Sequence, residues 1–291
     1  MPQDSYLIGL IGSGIGNSFS PRLHEREADR HGLRYLYRLI DLDRIGADPD
    51  KVGELVGAAK GRGYRGLNIT HPCKQLVIEC LDELTPQAEA VGAVNTVVFE
   101  GEGRSARAVG HNTDVSGFAA SFDRELADAP RERVVQLGAG GAGAAIAHAL
   151  LAHGIGHLAV VDPLTDRAVA LAASLNRHFG TGRATASGPD GLPALTDRAD
   201  GLVHATPTGM PAHPGLPLPA DLLDPGLWVV DVVYQPLETE LLRIARARGC
   251  VAFNGVGMVV FQAADAFRLF TGREPDRARM LAHGAELARS E

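Results

Sequence analysis

The chain has 291 residues and a formal net charge of −7, with 45% hydrophobic and 22% charged residues. This is the composition of a globular protein, and its acidic balance excludes a bulk attraction to nucleic acid or to an anionic membrane surface. No run approaches the length of a membrane span, and three cysteines without a Cys-x-x-Cys pair predict neither a disulfide framework nor a metal site. No signal peptide is recognisable, so a cytoplasmic protein is expected.

Short apolar runs alternate with amphipathic segments in the N-terminal part of the chain. Glycine, proline and serine at their borders mark where one element ends and the next begins. Strands are predicted at 6–11, 35–40, 66–70, 93–99 and 106–110, and helices from Ser20-Pro21, at 49–60 and at 86–91.

The C-terminal part repeats the alternation more regularly. Strands are predicted at 133–138, 157–162, 200–206, 227–233 and 250–253, helices at 144–154, 166–180 and 238–248, and a last helix in MVVFQAADAFRLFTG. Such alternation is typical of a parallel sheet covered by helices. The two patterns meet near 114–128, so the fold class is α/β with two α/β domains, and the active site is expected in the cleft between them.

The segment GAGGAG, residues 138–143, predicts a dinucleotide site, because a buried strand precedes it and an Ala-rich helix follows. Gly138 permits the tight turn, Gly140 lets a pyrophosphate approach, and Gly143 lets the helix pack on the strand. Asp162 ends the next strand, where a carboxylate can bind ribose hydroxyls and repel a 2′-phosphate. The sequence therefore favours NAD over NADP, although Arg167 would weaken this preference if it reached a 2′-phosphate.

An earlier segment, GSGIGNSFSP at 12–21, resembles a dinucleotide loop but has Asn17 where the third glycine is required. Pro21 suits the first turn of a helix and Ser20 its N-cap. Ser18 and Ser20 beside a helix N-terminus form a small anion cup that fits a carboxylate. Ordinary helix capping explains the same residues.

Several segments occur together in a fixed order: NSFSP, NITHPCK (68–74), GAVNT (92–96), GHNTD (110–114), GAGGAG and NGVGM (254–258). With them the whole chain resembles the shikimate dehydrogenase family, and most of all its NAD-linked quinate/shikimate branch. The resemblance implies an N-terminal substrate domain at 1–114, a Rossmann-type NAD-binding domain at 115–255, and a C-terminal helical segment at 256–291 that returns to the substrate domain.

The resemblance also implies a role for individual residues. Lys74 and Asp114 match the family's catalytic pair, while Ser18 and Ser20 match the hydroxyls that hold the substrate carboxylate. Further substrate positions are Asn68, Thr70, Asn95, Tyr234 and Gln262. The cofactor positions are Gly138, Ala139, Gly140, Gly141, Ala142, Gly143, Asp162 and Arg167, with Thr206, Val232, Gly255 and Met258 along the nicotinamide half.

Two departures from the family pattern bear on specificity. NADP-linked members carry an Asn-Arg-Thr type sequence after the second Rossmann strand, where this chain has Val161-Asp162-Pro163. Quinate-using relatives often have threonine at the second hydroxyl of the anion cup, where this chain has Ser20. The first departure favours NAD, and the second leans toward shikimate over quinate.

The expected reaction is the NAD-dependent, reversible oxidation of shikimate to 3-dehydroshikimate, of quinate to 3-dehydroquinate, or of both. Lys74 could be the base, since burial would favour its neutral amine, but Asp114 would favour the ammonium and could instead orient it. His71 is a rival acid or base. The expected partner is a small cyclic polyol carboxylate, with no metal, no nucleic acid and no membrane, on a monomer or homodimer.

Other functions stay open on the sequence. They are an NADP-linked biosynthetic shikimate dehydrogenase, an aminoshikimate or aminoquinate dehydrogenase, a folate-linked dehydrogenase, and an NAD-binding sensor without catalysis. Aromatic amino acid biosynthesis and quinate catabolism are both compatible with the pattern.

Overall fold

A computed structural model describes residues 5–101 and 103–290. Over these residues the strands are β1 (Ser5–Gly12), β2 (Arg34–Asp41), β3 (Gly66–Ile69), β4 (Glu83–Leu84), β5 (Thr96–Glu100), β6 (Arg107–His111), β7 (Arg133–Leu137), β8 (His157–Val161), β9 (Ala184–Ser187), β10 (Gly201–His204), β11 (Trp228–Asp231) and β12 (Val251–Phe253). They form two sheets, one in each of two compact units.

The α-helices are α1 (Ser20–Arg30), α2 (Leu42–Ile45), α3 (Val52–Gly61), α4 (Pro86–Val91), α5 (Thr113–Glu125), α6 (Gly141–Ala152), α7 (Thr165–Phe179), α8 (Leu192–Thr196), α9 (Glu240–Ala247), α10 (Val256–Thr271) and α11 (Arg277–Arg289). Short 3₁₀ helices lie at Pro49–Lys51, Leu76–Cys80, Gly103–Ser105, Pro189–Gly191 and Ala220–Leu222. None of the helices in the described part of the chain combines the length and apolarity of a membrane crossing.

The first unit contains residues 5–117 and 259–287, less the undescribed position 102. Its sheet has the order β2-β1-β3-β5-β6-β4, in which β1 pairs in parallel with β2 and β3, while β5 runs antiparallel to β3 and β6. Ile8 and Leu10 of β1 pack with Phe270 of α10, and Ile11 packs in a second core with Val56 of α3. Helices therefore cover both faces, because neighbouring β1 residues point to opposite sides.

The second unit contains 118–258 and 288–290. Its sheet is wholly parallel, in the order β12-β11-β10-β7-β8-β9. Counted from β7 this is the doubly wound order 3-2-1-4-5-6, in which the strand order reverses between β7 and β10. A dinucleotide fold places its ligand beyond the carboxyl ends of the strands at that reversal, which is where GAGGAG follows β7.

The predicted α/β fold class is confirmed, with differences in detail. The strand predicted at 93–99 begins only at Thr96, because Val94 donates its N–H to the carbonyl of Lys74 (2.8 Å) outside the ladder. Six strands and α-helices of the described residues were not predicted: β4, β9, α2, α5, α8 and α11. The β9 strand has only four residues, all with small side chains, and in α11 Gly284 obscures the helical spacing of buried Met280 and Leu287.

Candidate active site

Lys74 and Asp114 form a close ion pair in the first unit. Lys74 follows the end of β3, and Asp114 stands in the first turn of α5. The Lys74 Nζ donates to Asp114 Oδ2 at 2.6 Å, and the two side chains are only 14% and 6% exposed. One ammonium N–H is thus fixed on Asp114, and two further donor directions remain on Nζ.

Asp114 is held in place by two asparagines, Asn112 close by in sequence and Asn95 from a distant segment. Asn112 Oδ1 accepts the backbone N–H of Asp114 (3.1 Å) and of Val115 (3.3 Å), which caps the start of α5. Asn95 Nδ2 donates to Asp114 Oδ1 at 2.9 Å. Both carboxylate oxygens therefore have a defined donor, and the carboxylate cannot rotate away from Lys74 without losing one.

A chain of buried hydrogen bonds connects Asn95 to Asn68. The Asn68 amide donates to Thr96 Oγ1 (3.0 Å) and to the carbonyl of Asn95, and its Oδ1 accepts from the Tyr37 hydroxyl (2.8 Å). The Asn95 amide donates to Thr113 Oγ1 (2.9 Å) and to Asp114. Because both amide hydrogens of each asparagine are used, direct donation to a substrate hydroxyl requires an exchange of one internal bond.

Tyr37, Thr96, Asn112 and Thr113 belong to this network but were missed in the sequence. Asn112 could have been found, since Asn before Thr-Asp at a helix start is an N-cap signal. Tyr37 carried no such signal, because its position alternates with apolar residues in β2 and resembles a core position.

Ser18 and Ser20 lie together at the start of α1. The backbone N–H of Ser20 donates to Ser18 Oγ at 3.3 Å, and Ser20 is 8% exposed. The prediction that Ser20 is the N-cap is wrong: the N-cap residue is Phe19, and Ser20 is the first residue of the helix. The Ser18 side chain supplies the capping oxygen, because its hydroxyl reaches the N–H two residues on.

Asp41, which was not predicted, occupies the first glycine loop. Its Oδ1 accepts from the N–H of Gly14 (3.1 Å) and its Oδ2 from the N–H of Ile15 (3.2 Å), and the residue is 6% exposed. The backbone donors that would bind a phosphate are therefore already bound to a carboxylate of the protein. These two N–H groups are therefore not available to a phosphate.

The remaining predicted substrate residues are placed unequally. Thr70 lies directly after β3, and Gln262 on α10 contacts Thr113 through its Oε1 at 3.5 Å. Tyr234 belongs to the second unit, whereas the other predicted substrate residues belong to the first. His71, the rival acid or base, is exposed, whereas Lys74 is largely buried.

The GAGGAG loop of the second unit has the geometry of a phosphate cradle. Gly138 has φ +102°, and a Cβ on Gly143 would lie 2.3 Å from the carbonyl oxygen of Gly138. A Cβ on Gly140, by contrast, would meet nothing within 4 Å. The first and third glycines of the motif therefore leave no room for a side chain, whereas the second faces open space. The α6 helix begins at Gly141, and its first N–H groups have no partner within the helix.

Gln136, which was not predicted as a site residue, fixes this loop through two hydrogen bonds to its backbone. Its buried Nε2 donates to the carbonyls of Gly138 and Gly143, both at 2.9 Å. The two glycines that make the turn are therefore fixed to one side chain, while Gly140 between them is not.

Asp162 lies directly after β8 and faces the loop. Its Oδ2 accepts the N–H of Ala139 (2.9 Å), and its Oδ1 accepts the N–H of Leu164 (2.8 Å). Each oxygen keeps a further lone pair. Arg167 is exposed on the first turn of α7.

Three of the four predicted nicotinamide positions share one small hollow. Val232, Gly255 and Met258 line it together with Phe118 and Ser121. A Cβ on Gly255 would lie 2.1 Å from the carbonyl oxygen of Val232, so this close approach requires glycine. Thr206 lies outside this lining, in the segment after β10.

No group of three or more His, Cys, Asp or Glu side chains within the described ranges could hold a metal ion.

Two family models match the chain. The substrate binding domain of shikimate dehydrogenase matches residues 10–97, and the C-terminal domain of shikimate 5′-dehydrogenase matches 255–283.

Whole-chain relatives give the same result. The chain is 72% identical to shikimate dehydrogenase (NADP(+)) of Streptomyces avermitilis, over 99% of this chain and 98% of that one. It is 48% identical to quinate/shikimate dehydrogenase (NAD(+)) of Corynebacterium glutamicum strain R, over 96% and 97%. Quinate dehydrogenase from Corynebacterium glutamicum in complex with NAD superposes with a TM-score of 0.88 at 46% identity, covering 99% and 100%.

These matches confirm the resemblance that the motifs carried. They span nearly the full length of this chain and of its relatives, and the fold agrees with the sequence. The chain belongs to the shikimate dehydrogenase family of oxidoreductases.

Proposed function

We propose that the chain catalyses the reversible, NAD-dependent oxidation of shikimate to 3-dehydroshikimate, and that quinate is a second substrate. The observation that carries the proposal is the buried Lys74–Asp114 pair, which ends a hydrogen-bonded chain of polar side chains in the first unit. Family membership supports the reaction class, and the individual residue roles are our assignment.

The chemistry requires a group that takes the hydroxyl proton as a carbon–hydrogen bond breaks. A bound nicotinamide dinucleotide supplies the hydride acceptor. Lys74 has donor directions free beyond its bond to Asp114, so it can contact the reacting oxygen while Asp114 fixes its position. In the oxidation of the alcohol, Lys74 takes the hydroxyl proton as its neutral amine while Asp114 keeps it oriented, and in the reverse reaction the ammonium returns that proton to the oxygen. Ser18 and Ser20 would hold the substrate carboxylate.

The choice of NAD rests on Asp162. Its two oxygens are fixed by backbone N–H groups and present remaining lone pairs, which suits ribose hydroxyls and repels a 2′-phosphate. An NADP-linked relative at 72% identity and the exposed Arg167 favour the alternative, in which the chain is an NADP-linked biosynthetic enzyme. An aminoshikimate or aminoquinate substrate is a further alternative for the same site.

The decisive assay measures dinucleotide reduction with each of shikimate and quinate, and with each of NAD and NADP. We expect turnover with shikimate and a higher kcat/KM for NAD than for NADP. Comparable efficiency with NADP would remove the Asp162 assignment, and binding of dinucleotide and polyol by calorimetry without turnover would make the protein a sensor instead.

Lys74→Ala tests the catalytic pair. We expect kcat to fall by about 10² or more, because proton transfer by a positioned group contributes on that order. Lys60→Ala is the matched control, since Lys60 is another ion-paired lysine of the first unit, 3.7 Å from Asp82. If Lys74→Ala instead raises KM for the polyol at unchanged kcat, Lys74 positions the substrate and is not the base.

A further inference from the structure

A buried polar network lies beneath the predicted nicotinamide positions of the second unit. His204, the last residue of β10, and Asp231, the last residue of β11, are both 0% exposed. His204 Nδ1 lies 2.8 Å from Asp231 Oδ1, and His204 Nε2 lies 2.5 Å from Thr206 Oγ1. Neither His204 nor Asp231 was singled out in the sequence, and the proposed reaction uses neither.

The donors around Asp231 fix the direction of these bonds. The N–H of Val233 donates to Oδ1 (3.0 Å), and the Thr239 hydroxyl donates to Oδ2 (2.6 Å), since Thr239 Oγ1 itself accepts from the N–H of Leu242. Asp231 is thus surrounded by donors and acts as an acceptor, which places the imidazole proton on Nδ1 of His204.

The direction then passes to Thr206. With its proton on Nδ1, His204 presents a lone pair at Nε2, and the Thr206 hydroxyl donates to it without creating a second buried charge. Thr206 Oγ1 also accepts the N–H of Thr208 at 3.2 Å. The Thr206 hydroxyl proton is therefore used in the bond to His204, and Oγ1 has one remaining lone pair that can accept a hydrogen bond.

We infer that the Asp231–His204 pair makes Thr206 a fixed hydrogen-bond acceptor for the carboxamide N–H of the bound nicotinamide. The inference rests on the proposed function, because it uses the predicted cofactor role of Thr206. His204 and Asp231 are positioning residues, and through Val233 the same carboxylate also anchors the segment next to Val232.

The test uses the 3-acetylpyridine analogue of the dinucleotide, which replaces the carboxamide NH₂ by a methyl group and keeps the carbonyl. Calorimetric titration compares the Kd of NADH with the Kd of the reduced analogue, without any polyol. In Thr206→Val we expect the Kd for NADH to rise about tenfold, the size of one lost hydrogen bond, and that of the analogue to change little. Thr206→Ser should restore the preference for NADH.

Asp231→Asn tests the direction of the network at nearly constant shape. An asparagine amide nitrogen that faces His204 donates to Nδ1, which moves the imidazole proton to Nε2 and turns the Thr206 hydroxyl outward as a donor, at the expense of the bond that Asp231 Oδ1 accepts from the Val233 N–H. We expect this variant to lose most of its preference for NADH over the analogue.

A merely structural role gives a different result. Leu223→Ala is the matched control, because Leu223 is a fully buried core residue of the same unit. It should lower the melting temperature and leave the ratio of the two Kd values unchanged. An unchanged ratio of the two Kd values in Thr206→Val would overturn the inference.

Failure of the proposed function is distinguishable. If the protein binds NADPH in place of NADH, the same comparison applies with the 2′-phosphorylated pair of dinucleotides. If no polyol is turned over, the dinucleotide ratios still report on Thr206.

Discussion

The two glycine loops of this protein follow the first strand of their respective units, but their backbone N–H groups are bonded differently. Gly12 ends β1 and Gly138 follows β7, and in each case the neighbouring strand, β2 or β8, leads to an aspartate that binds the loop. Asp41 takes the N–H groups of both Gly14 and Ile15, whereas Asp162 takes only that of Ala139. The two loops therefore differ in how many of their backbone N–H groups are bonded to an aspartate of the protein, two in the first loop and one in the second.

The helix starts differ in the same sense. The α6 helix begins at Gly141, within the glycine motif, so its unpaired N–H groups lie beside Gly140. The α1 helix begins only at Ser20, after Ser18 has capped it. In the proposed function, the first arrangement binds the pyrophosphate and the second binds the substrate carboxylate.

The largest expected effect comes from exchanging alanine for the middle glycine of each loop. In Gly140→Ala the new Cβ meets no protein atom, so the melting temperature should stay unchanged while the KM for the dinucleotide rises about 10², because the pyrophosphate loses its close approach. In Gly14→Ala the residue has φ +65°, so stability should fall by about 1–2 kcal/mol with no change in that KM. Thermal unfolding and kinetics on both variants would reveal any exchange of these two outcomes, which would reverse the assignment of the loops.

The two aspartates should differ by about tenfold in their effect on cofactor choice. Asp162→Asn removes the charge that disfavours a 2′-phosphate, so the ratio of kcat/KM for NAD to that for NADP should fall about tenfold. Asp41→Asn should lower stability and leave this ratio unchanged, because Asp41 binds the first loop and caps α2, both in the first unit. A ratio insensitive to Asp162→Asn, but sensitive to Arg167→Ala, would place the cofactor choice on α7.

The serines of the first loop should affect only the polyol. Ser20→Ala is expected to raise the KM for shikimate about tenfold, the lower end of what one hydrogen bond to a charged group contributes, while the KM for the dinucleotide stays constant. Ser20→Thr should move the preference toward quinate. Parallel titrations of each substrate in these variants check both statements, and a raised dinucleotide KM would contradict the anion cup.

The smallest expected effect concerns pH and the helix behind the first loop. Burial lowers the pKa of His24 in α1 from 6.5 to about 3. As the pH falls through 6.5 the unfolded chain takes up a proton that the folded chain cannot, so stability is lost toward acid. His24 should contribute about 0.8 kcal/mol of this loss between about pH 7.5 and 6. Denaturant unfolding should show that the free energy of unfolding of His24→Leu depends less steeply on pH than that of the unmodified protein. Other histidines, such as His111, contribute equally to the unmodified protein and to the variant.

Much of the fold followed from local patterns. The regular alternation from 133 to 253 comes from buried parallel strands and from glycines at turns, and it predicts the strands and α-helices of this range except β9 and α8. The first unit was less accessible, because its antiparallel pairing of β3, β5 and β6 depends on contacts between segments distant in sequence.

The sequence by itself determined the glycine spacing of 138–143, the carboxylate at Asp162 and the order of motifs that marks the family. These features are local, so residue type and spacing are sufficient. Only the tertiary structure decided which backbone donors remain available, because Asp41, Gln136, His204 and Asp231 act across strands. Hydrogen-bond partners distant in the chain leave no periodic signal, and they distinguish the first glycine loop from the second.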